Sequence, residues 1–245
     1  MWGSLVIVIV IVVSALIWRK SPQPNVDNKK EEQPVLISSS SPQLPEVILG
    51  SNIPAPSLDK TMRSSTIIGE DTKRRVDEKV KEIVSLLKKD SKDTDRWLEL
   101  GLYAEVYTDY QRAKEIYEYV TRVDLNGYTA YHNLGNLYRF YLKDYIKAEA
   151  NMKVVLDMNP TGVAEYISLS DLYYSDLVAK KGFADDILLK GIAKNPTSTD
   201  LMVSLARYYV NTGDKEKARE YYQKALALSP KNAAAIKQDL DALGN

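Results

Sequence analysis

The chain has 245 residues, with 33 basic side chains, 33 acidic side chains and one histidine, so its formal net charge is zero. Proteins that bind nucleic acids usually carry a clustered positive excess, which this sequence lacks. It contains no cysteine, which excludes disulfides, thiol catalysis and cysteine-based zinc sites. One histidine cannot build a histidine-rich metal site, and no phosphate-binding loop or nucleophile motif occurs. The sequence therefore predicts a protein that is not an enzyme and uses no metal, cofactor or small-molecule substrate.

The N-terminal part of the chain begins with a long apolar run. Residues 2–18 contain no charged side chain and have Trp2 and Trp18 at their two ends. As a helix this run would be about 25 Å long, at the lower limit for crossing a bilayer. Tryptophan is also common at both membrane interfaces. We therefore predict an uncleaved single-pass transmembrane helix in residues 1–20, with the membrane as its partner through residues 2–18.

The charges around this run predict its processing and its orientation. A cleaved signal peptide, with a cleavage site at Val13–Ala15, is the alternative. However, no lysine or arginine precedes the apolar core, and Arg19 and Lys20 follow it. By the positive-inside rule, these two residues place the rest of the chain in the cytoplasm. Basic residues upstream of a wrongly assigned start codon would reverse this orientation.

Residues 21–70 differ in composition from the rest of the chain. Seven of the ten prolines lie between Pro22 and Pro56, next to the serine run Ser38–Ser41. Such a stretch buries too little apolar surface to offset its chain entropy. We predict a disordered linker over this whole range.

Two amphipathic segments flank the remaining sequence. Apolar side chains recur at helical spacing within residues 72–90 and again after Ala233. The first segment predicts a helix at 71–93 that covers one end of the folded region, and the second predicts a polar-backed helix at 233–245 that covers the other. The apolar residues are Val76, Val80, Ile83, Val84 and Leu87 in the first segment and Ile236, Leu240 and Leu243 in the second.

Between these segments, one pattern occurs four times. It consists of a large residue, a leucine three positions later, a small residue directly after the leucine, and an alanine 12 to 14 positions after the small residue. The large residues lie 34, 35 and 36 positions apart, which indicates a tandem repeat. Small residues suit the place where two helices approach closely, and the large residues would form the core between repeats. The four sets are Trp97, Leu100, Gly101 and Ala113; Tyr131, Leu134, Gly135 and Ala148; Tyr166, Leu169, Ser170 and Ala184; and Met202, Leu205, Ala206 and Ala218.

Prolines and spacing predict where the helices of each repeat end. Pro160, Pro196 and Pro230 follow the alanines of repeats two, three and four, where proline would stop the second helix. From the small residue to the alanine the four copies take 12, 13, 14 and 12 residues. We predict that the extra residues of repeats two and three fall in or beside the turn between the two helices.

The repeated pattern resembles the tetratricopeptide repeat, a helix–turn–helix unit that stacks into a superhelix. The resemblance implies an all-α solenoid with repeats at 94–127, 128–162, 163–198 and 199–232. It also implies a concave groove, lined by the first helix of each repeat, that commonly binds an extended peptide or a helix of a protein partner.

The groove positions carry a mixed set of side chains in this sequence. Some proteins of the family clamp a C-terminal carboxylate with lysine, asparagine and arginine at fixed groove positions. Here those positions hold Leu98, Ala164 and Ser168, and only Asn133 matches. The resemblance therefore does not extend to that clamp. The predicted partner-binding residues are His132, Asn133, Asn136, Arg139, Tyr174, Arg207 and Asn211.

These features together predict a membrane-anchored scaffold or adaptor that binds a protein or peptide in its groove, with the repeats in the cytoplasm. An extracytoplasmic factor for cell-envelope assembly or secretion is the alternative, since a chain without cysteine suits either side of a membrane. A regulatory part of an enzyme is disfavoured, because the sequence leaves no room for a catalytic domain.

Overall fold

The computed structural model describes residues 54–63, 69–228 and 233–244. The predicted transmembrane helix, Pro230 and residues 21–53 of the predicted linker lie outside these ranges. Within them, every regular element is a helix, so the all-α prediction is confirmed for this part of the chain. None of the described helices is both long and apolar enough to cross a bilayer.

The described residues contain ten α-helices that pack mainly against their neighbours along the chain. They are α1 (Glu70–Lys89), α2 (Thr94–Val106), α3 (Tyr110–Val123), α4 (Tyr128–Asn136), α5 (Tyr145–Met158), α6 (Val163–Asp171), α7 (Ala184–Lys194), α8 (Thr199–Thr212), α9 (Lys215–Leu228) and α10 (Ala233–Ala242). The pairs α2–α3, α4–α5, α6–α7 and α8–α9 correspond to the four predicted repeats. The helices α1 and α10 stand at the two predicted capping positions.

Two features fix the turn between the helices of a repeat. Asp109 and Asp144 each cap the second helix, because the carboxylate accepts a hydrogen bond from the backbone N–H three residues later. The residue before the aspartate has a left-handed backbone in Thr108 (φ 58°) and Lys143 (φ 57°), and Gly213 (φ 87°) takes the same place in repeat four. A left-handed residue ends the first helix and redirects the chain into the second.

Repeats two and three depart from the regular form at the end of their first helix. The helix α4 continues into a π-helix, Leu137–Leu142. Likewise α6 continues into a second π-helix, Leu172–Asp176, which a 3-10 helix, Val178–Phe183, follows. A π-helix forms i→i+5 hydrogen bonds and so takes up additional residues without breaking the helix. The extra residues lie beside the turn, as predicted, but the end of the helix accommodates them.

The small residues of the pattern stand where the two helices of a repeat touch. A Cβ atom on Gly101 would lie 2.3 Å from Tyr117 Cε1, and one on Gly135 would lie 3.2 Å from Met152 Cγ. In repeat three the Ser170 hydroxyl donates to a backbone carbonyl at the start of α7 at 2.8 Å. These contacts confirm the close approach that the spacing predicts.

The repeats bury two apolar clusters. One contains Trp97, Leu100 and Ile116 and runs from α1 into repeat three. The other contains Leu205 and Tyr222 and runs from repeat three to α10. The large residue and the leucine of all four copies are buried, as the pattern predicts. Each repeat thus completes its core with side chains from its neighbours.

Residues 54–63 correct the prediction for the linker. They form no helix, yet Leu58 and Met62 pack against the first apolar cluster, and Lys60 Nζ lies 2.8 Å from Glu115 Oε1. The prediction that all of 21–70 is disordered is therefore wrong for this segment. The proline- and serine-rich composition of this region predicts disorder, but two apolar side chains within it pack against the first repeat.

Candidate functional site: the groove face of the first helices

The seven predicted partner-binding residues all lie on the first helices of repeats two to four or on the π-helices that continue them. His132, Arg207 and Asn211 are exposed, Asn133, Asn136 and Tyr174 are half-buried, and Arg139 is buried. The structure therefore puts these residues on corresponding elements of successive repeats but gives them different access to a partner.

Two predicted groove residues of repeat two, His132 and Asn136, contact each other. His132 Nε2 lies 3.0 Å from Asn136 Nδ2, one helical turn away. The Tyr128 ring stacks on the imidazole, with centroids 5.9 Å apart, and the Tyr128 hydroxyl donates to Glu165 on α6. His132, Asn136, Glu165 and Ser168 also line a small cleft between the repeats. Contacts within α4 thus position His132 and Asn136, and the hydrogen bond of Tyr128 to Glu165 connects this group to repeat three.

Arg139 makes its contacts inside the protein. Its Nε donates to Asp176 at 2.8 Å, and its Nη1 donates to the Ser168 carbonyl oxygen at 3.0 Å. The guanidinium also lies 4.9 Å from the centroid of the Phe140 ring. Arg139 therefore joins the ends of the first helices of repeats two and three. That it also contacts a partner stays a prediction.

A second carboxylate lies close to this ion pair. Burial raises the pKa of Asp171 above its ordinary value, Arg139 lowers it, and Asp176 raises it further. The side chain of Asp171 is nevertheless exposed. Asp171 therefore adds an exposed carboxylate beside the ion pair of Arg139 and Asp176.

Asn133 lies below the groove, between repeats one and two. Its Nδ2 is buried. It lies next to the hydroxyl of Tyr117, which donates to Glu105 Oε1 at 2.7 Å. Burial raises the pKa of Glu105, although this hydrogen bond lowers it. The structure places Asn133 in the packing between repeats, and its contact with a partner stays a prediction.

Tyr174 belongs to an aromatic pair between repeats three and four. Its ring meets that of Tyr208 edge to face, with centroids 5.7 Å apart, and Lys181 Nζ lies 4.2 Å from the Tyr174 centroid. Burial raises the pKa of Tyr208 to about 12, so its hydroxyl stays protonated at neutral pH. The repeat pattern predicts Tyr174 at this face but not Tyr208 or Lys181. The doubled tyrosines of both repeats were the signal for this pair.

The two ends of the groove face add apolar surface. On α8, Arg207 donates to Asp239 of the terminal helix α10 at 3.3 Å, and Val210 beside it is exposed. On α2, Leu102 and Val106 lie one turn apart and are each 40% exposed. The groove face therefore offers apolar contacts at both ends and polar groups between them.

The chemistry of this face is that of non-covalent binding. Its functional groups are amides, an imidazole, arginines, carboxylates, phenols and aliphatic side chains. Among the residues that the structure describes, no group of three or more histidine or acidic side chains could hold a metal ion.

Comparison with known proteins supports the repeats. The tetratricopeptide repeat family model matches residues 128–161 and 199–232, which are the second and fourth predicted copies. The chain is 28% identical over 127 residues to BBSome complex member BBS4 of Bos taurus, which is 52% of this chain and 24% of that protein. The chain thus spans about a quarter of the length of this curated relative.

Solved structures show the same fold. A crystal structure of MamA aligns with a TM-score of 0.54 at 23% identity, over 69% of this chain and 98% of that one. A MamA fragment from Desulfovibrio magneticus RS-1 aligns with a TM-score of 0.51 at 20% identity, over 65% of this chain and 89% of that one. The chain therefore contains tetratricopeptide repeats stacked as an α-solenoid.

Proposed function

We propose that this protein is a membrane-tethered adaptor that holds an extended segment of a protein partner against the groove face of its first helices. One observation carries the proposal: corresponding helices of successive repeats expose polar, aromatic and apolar side chains, and contacts between repeats fix several of them. A fixed surface costs little entropy on binding, which favours recognition of a flexible peptide.

The groups on this face match the chemistry of an extended peptide. His132 and Asn136 offer hydrogen-bonding groups for backbone amides, and Tyr174 and Arg207 offer aromatic and cationic contacts. Leu102 and Val210 would accept apolar side chains at the two ends. BBS4 is by its name a member of a protein complex, and this similarity supports a role in binding proteins.

The tether is the part of the proposal that rests on sequence alone. The uncharged run 2–18 with its terminal tryptophans has the composition of a membrane helix. Arg19 and Lys20 favour a cytoplasmic location for the repeats. In this arrangement the protein keeps its partner close to a membrane surface.

Site-specific photocrosslinking tests the groove. A photoreactive phenylalanine analogue is placed at His132, Tyr174 or Asn211, and for control at Gln111 or Gln223, which are exposed on second helices. We expect one common adduct from the three groove positions in native membranes and none from the two controls. Adducts of equal yield from all five positions would argue against the groove.

Cysteine labelling tests the tether and its orientation. Because the natural chain has no cysteine, the single substitution Lys237→Cys on the exposed side of α10 reports its location without background. We expect the full chain to need detergent for extraction. We also expect a membrane-impermeant maleimide to label the cysteine only after the cytoplasmic side of the membrane is made accessible by permeabilisation. Labelling from the outside would favour the extracytoplasmic envelope factor. Extraction without detergent, with the N-terminus intact, would reject the tether.

A further inference from the structure

The first helix of repeat one, α2, carries a half-buried carboxylate near its end. Glu105 accepts a hydrogen bond from the neutral hydroxyl of Tyr117 at 2.7 Å. Among the residues that the structure describes, no lysine or arginine pairs with it. A carboxylate has about four lone-pair sites, so Glu105 keeps the capacity to accept from further hydrogen-bond donors.

The hydrogen bond from Tyr117 explains the position of the Glu105 side chain but not its charge. Burial raises the pKa of Glu105, although Tyr117 lowers it, so the charged form costs free energy at neutral pH. A neutral glutamine oxygen would accept the same hydrogen bond without that cost. At Glu149, by contrast, the fold neutralises a carboxylate, since Lys153 and Lys180 both pair with it at 2.6 Å. The charge of Glu105 is therefore not explained by the packing of the repeats.

Two stacked tyrosine rings lie beside Glu105. The rings of Tyr110 on α3 and Tyr141 on the π-helix of repeat two have centroids 4.2 Å apart and an interplanar angle of 21°. The backbone N–H of Thr108 donates to the Glu105 carbonyl oxygen at 2.8 Å, and this tight turn keeps the start of α3 close to Glu105. Burial raises the pKa of Tyr141, and the nearby charge of Glu105 raises it further. A carboxylate and an aromatic pair thus occur together between repeats one and two.

These groups adjoin the apolar end of the binding surface proposed above. Leu102, Glu105 and Val106 share one face of α2, because Glu105 and Val106 follow Leu102 by three and four residues. Leu102 and Val106 are each 40% exposed, and Tyr141 is 42% exposed. A partner that reaches the aromatic pair therefore also meets apolar surface next to Glu105.

We infer that Glu105, Tyr110 and Tyr141 form a binding site for an arginine side chain of the protein partner, which we call the arginine site. The carboxylate of Glu105 accepts hydrogen bonds from the guanidinium, and the plane of the guanidinium lies against the exposed ring of Tyr141. Apolar residues next to this arginine in the partner pack on Leu102 and Val106. The inference rests on the proposed function, because it names a side chain that one part of the binding surface recognises.

Labelled peptide pools test the arginine site on the full chain. Two pools of fluorescent octapeptides contain the same random mixture of leucine, valine, serine and glycine. They differ at one central position, which holds arginine or its uncharged isostere citrulline. Both pools can pack and form hydrogen bonds, but only the arginine pool carries the cation. By anisotropy we expect the arginine pool to bind about tenfold more tightly, since hydrogen bonds between charged groups are the stronger ones.

Three receptor variants identify the contacts. Glu105→Gln should bring the affinity ratio of the two pools close to one, and yet it should raise the urea midpoint at pH 7, so that the lost preference does not come from unfolding. Tyr141→Leu should lower the ratio about threefold, since it removes the aromatic face from the cation. Glu216→Gln, the matched change at an exposed glutamate on a second helix, should leave the ratio unchanged.

The outcomes separate this inference from the proposed function. Equal affinity of the two pools, with both bound, would overturn the arginine site and leave the groove as a peptide-binding surface. An unchanged ratio in Glu105→Gln would overturn the assignment of the carboxylate. Failure of both pools to bind would also overturn the inference, while photocrosslinking from His132, Tyr174 and Asn211 would still decide the proposed function.

Discussion

Gly101 and Gly135 hold the same place in repeats one and two, but their surroundings differ. A Cβ atom on Gly101 would lie 2.3 Å from Cε1 of Tyr117, a fully buried ring whose hydroxyl is fixed by Glu105. At Gly135 the nearest atom is Met152 Cγ at 3.2 Å, on a flexible side chain that can move. The same position of the repeat thus requires glycine in repeat one but can accept a small side chain in repeat two.

We predict opposite outcomes for alanine at these two glycines. Gly101→Ala should lower the free energy of unfolding by about 2 kcal/mol, because the buried Tyr117 ring must move. Gly135→Ala should be close to neutral, since alanine gains about 1 kcal/mol over glycine in a helix and offsets the tighter contact. Urea unfolding midpoints measure both. Equal losses in the two variants would contradict this explanation.

Glu105 and Glu149 are two partly or fully buried carboxylates whose pKa values move in opposite directions. Burial raises the pKa of Glu105, so its favourable contribution is present below the ordinary glutamate pKa and is lost as the pH rises through the raised value. Burial also acts to raise the pKa of Glu149, but hydrogen bonds from Lys153, Lys180 and Tyr173 bring it below the ordinary value. The contribution of Glu149 is therefore present above the ordinary pKa and is lost as the pH falls through the lowered one.

Glutamine substitutions should reveal this difference. Glu105→Gln should stabilise the protein at pH 7 and leave it unchanged below the ordinary glutamate pKa. Glu149→Gln should destabilise it at pH 7 by about 2 kcal/mol, the value of hydrogen bonds to a charged group, and the loss should shrink toward pH 3. Urea unfolding of both variants between pH 3 and pH 8 gives the two curves, and curves of the same sign would refute the assignment.

At the residue scale, the sequence predicts which residues fall on the first helices of the repeats, but not which of them are exposed. His132 and Arg207 are exposed where the repeat pattern puts them. Arg139 is instead buried and pairs with Asp176 in the next repeat. The two residues are 37 positions apart in the sequence, so no local spacing predicts that they pair. Only the stacking of repeats two and three in the structure shows that Arg139 is buried while His132 and Arg207 are exposed.

At the scale of elements, the π-helices let repeats two and three carry extra residues without disturbing the pairing of their helices. The spacing of small residue and alanine predicts the number of extra residues. This spacing cannot distinguish a longer loop from a π-helical turn, because both add the same number of residues between the small residue and the alanine. The sequence does not predict the packing of residues 54–63 for a related reason: no apolar residues at helical or strand spacing accompany Leu58 and Met62.

Deleting one exposed residue tests this role of the π-helix. Removal of Phe140 gives repeat two the spacing of repeats one and four, so we expect a regular α-helix and a loss of about 1 kcal/mol, the value of the contact between Arg139 and the exposed ring. Removal of Ala150, also exposed but inside α5, rotates Met152 and Val155 out of the core and should abolish cooperative unfolding of that repeat. Circular dichroism with urea separates the two results. Similar damage from both deletions would reject this account of the π-helix.

At the scale of the whole molecule, the two apolar clusters meet within repeat three. A solenoid gains its stability from contacts between neighbours, so parts of it open independently. Leu205 is fully buried in the second cluster and Leu100 is almost fully buried in the first. The two ends of the array should therefore respond separately to damage.

Hydrogen exchange tests this separation. Leu205→Ala should cost about 3 kcal/mol and speed exchange in α8 and α9, while α2 and α3 keep their protection. Leu100→Ala, the matched change in the first cluster, should give the converse. Uniform loss of protection along the chain in either variant would show that the array opens as one unit.

The position of residues 54–63 gives the molecule a mechanical property. Among the described residues, this segment is the first to bear a pull from the N-terminal side of the chain, and Lys60 and Arg112 hold it to α3. These contacts would part before α1 bears load, because the segment precedes α1 in the chain. Tension applied on the N-terminal side of residue 54 would thus detach this segment before it loads the stacked repeats.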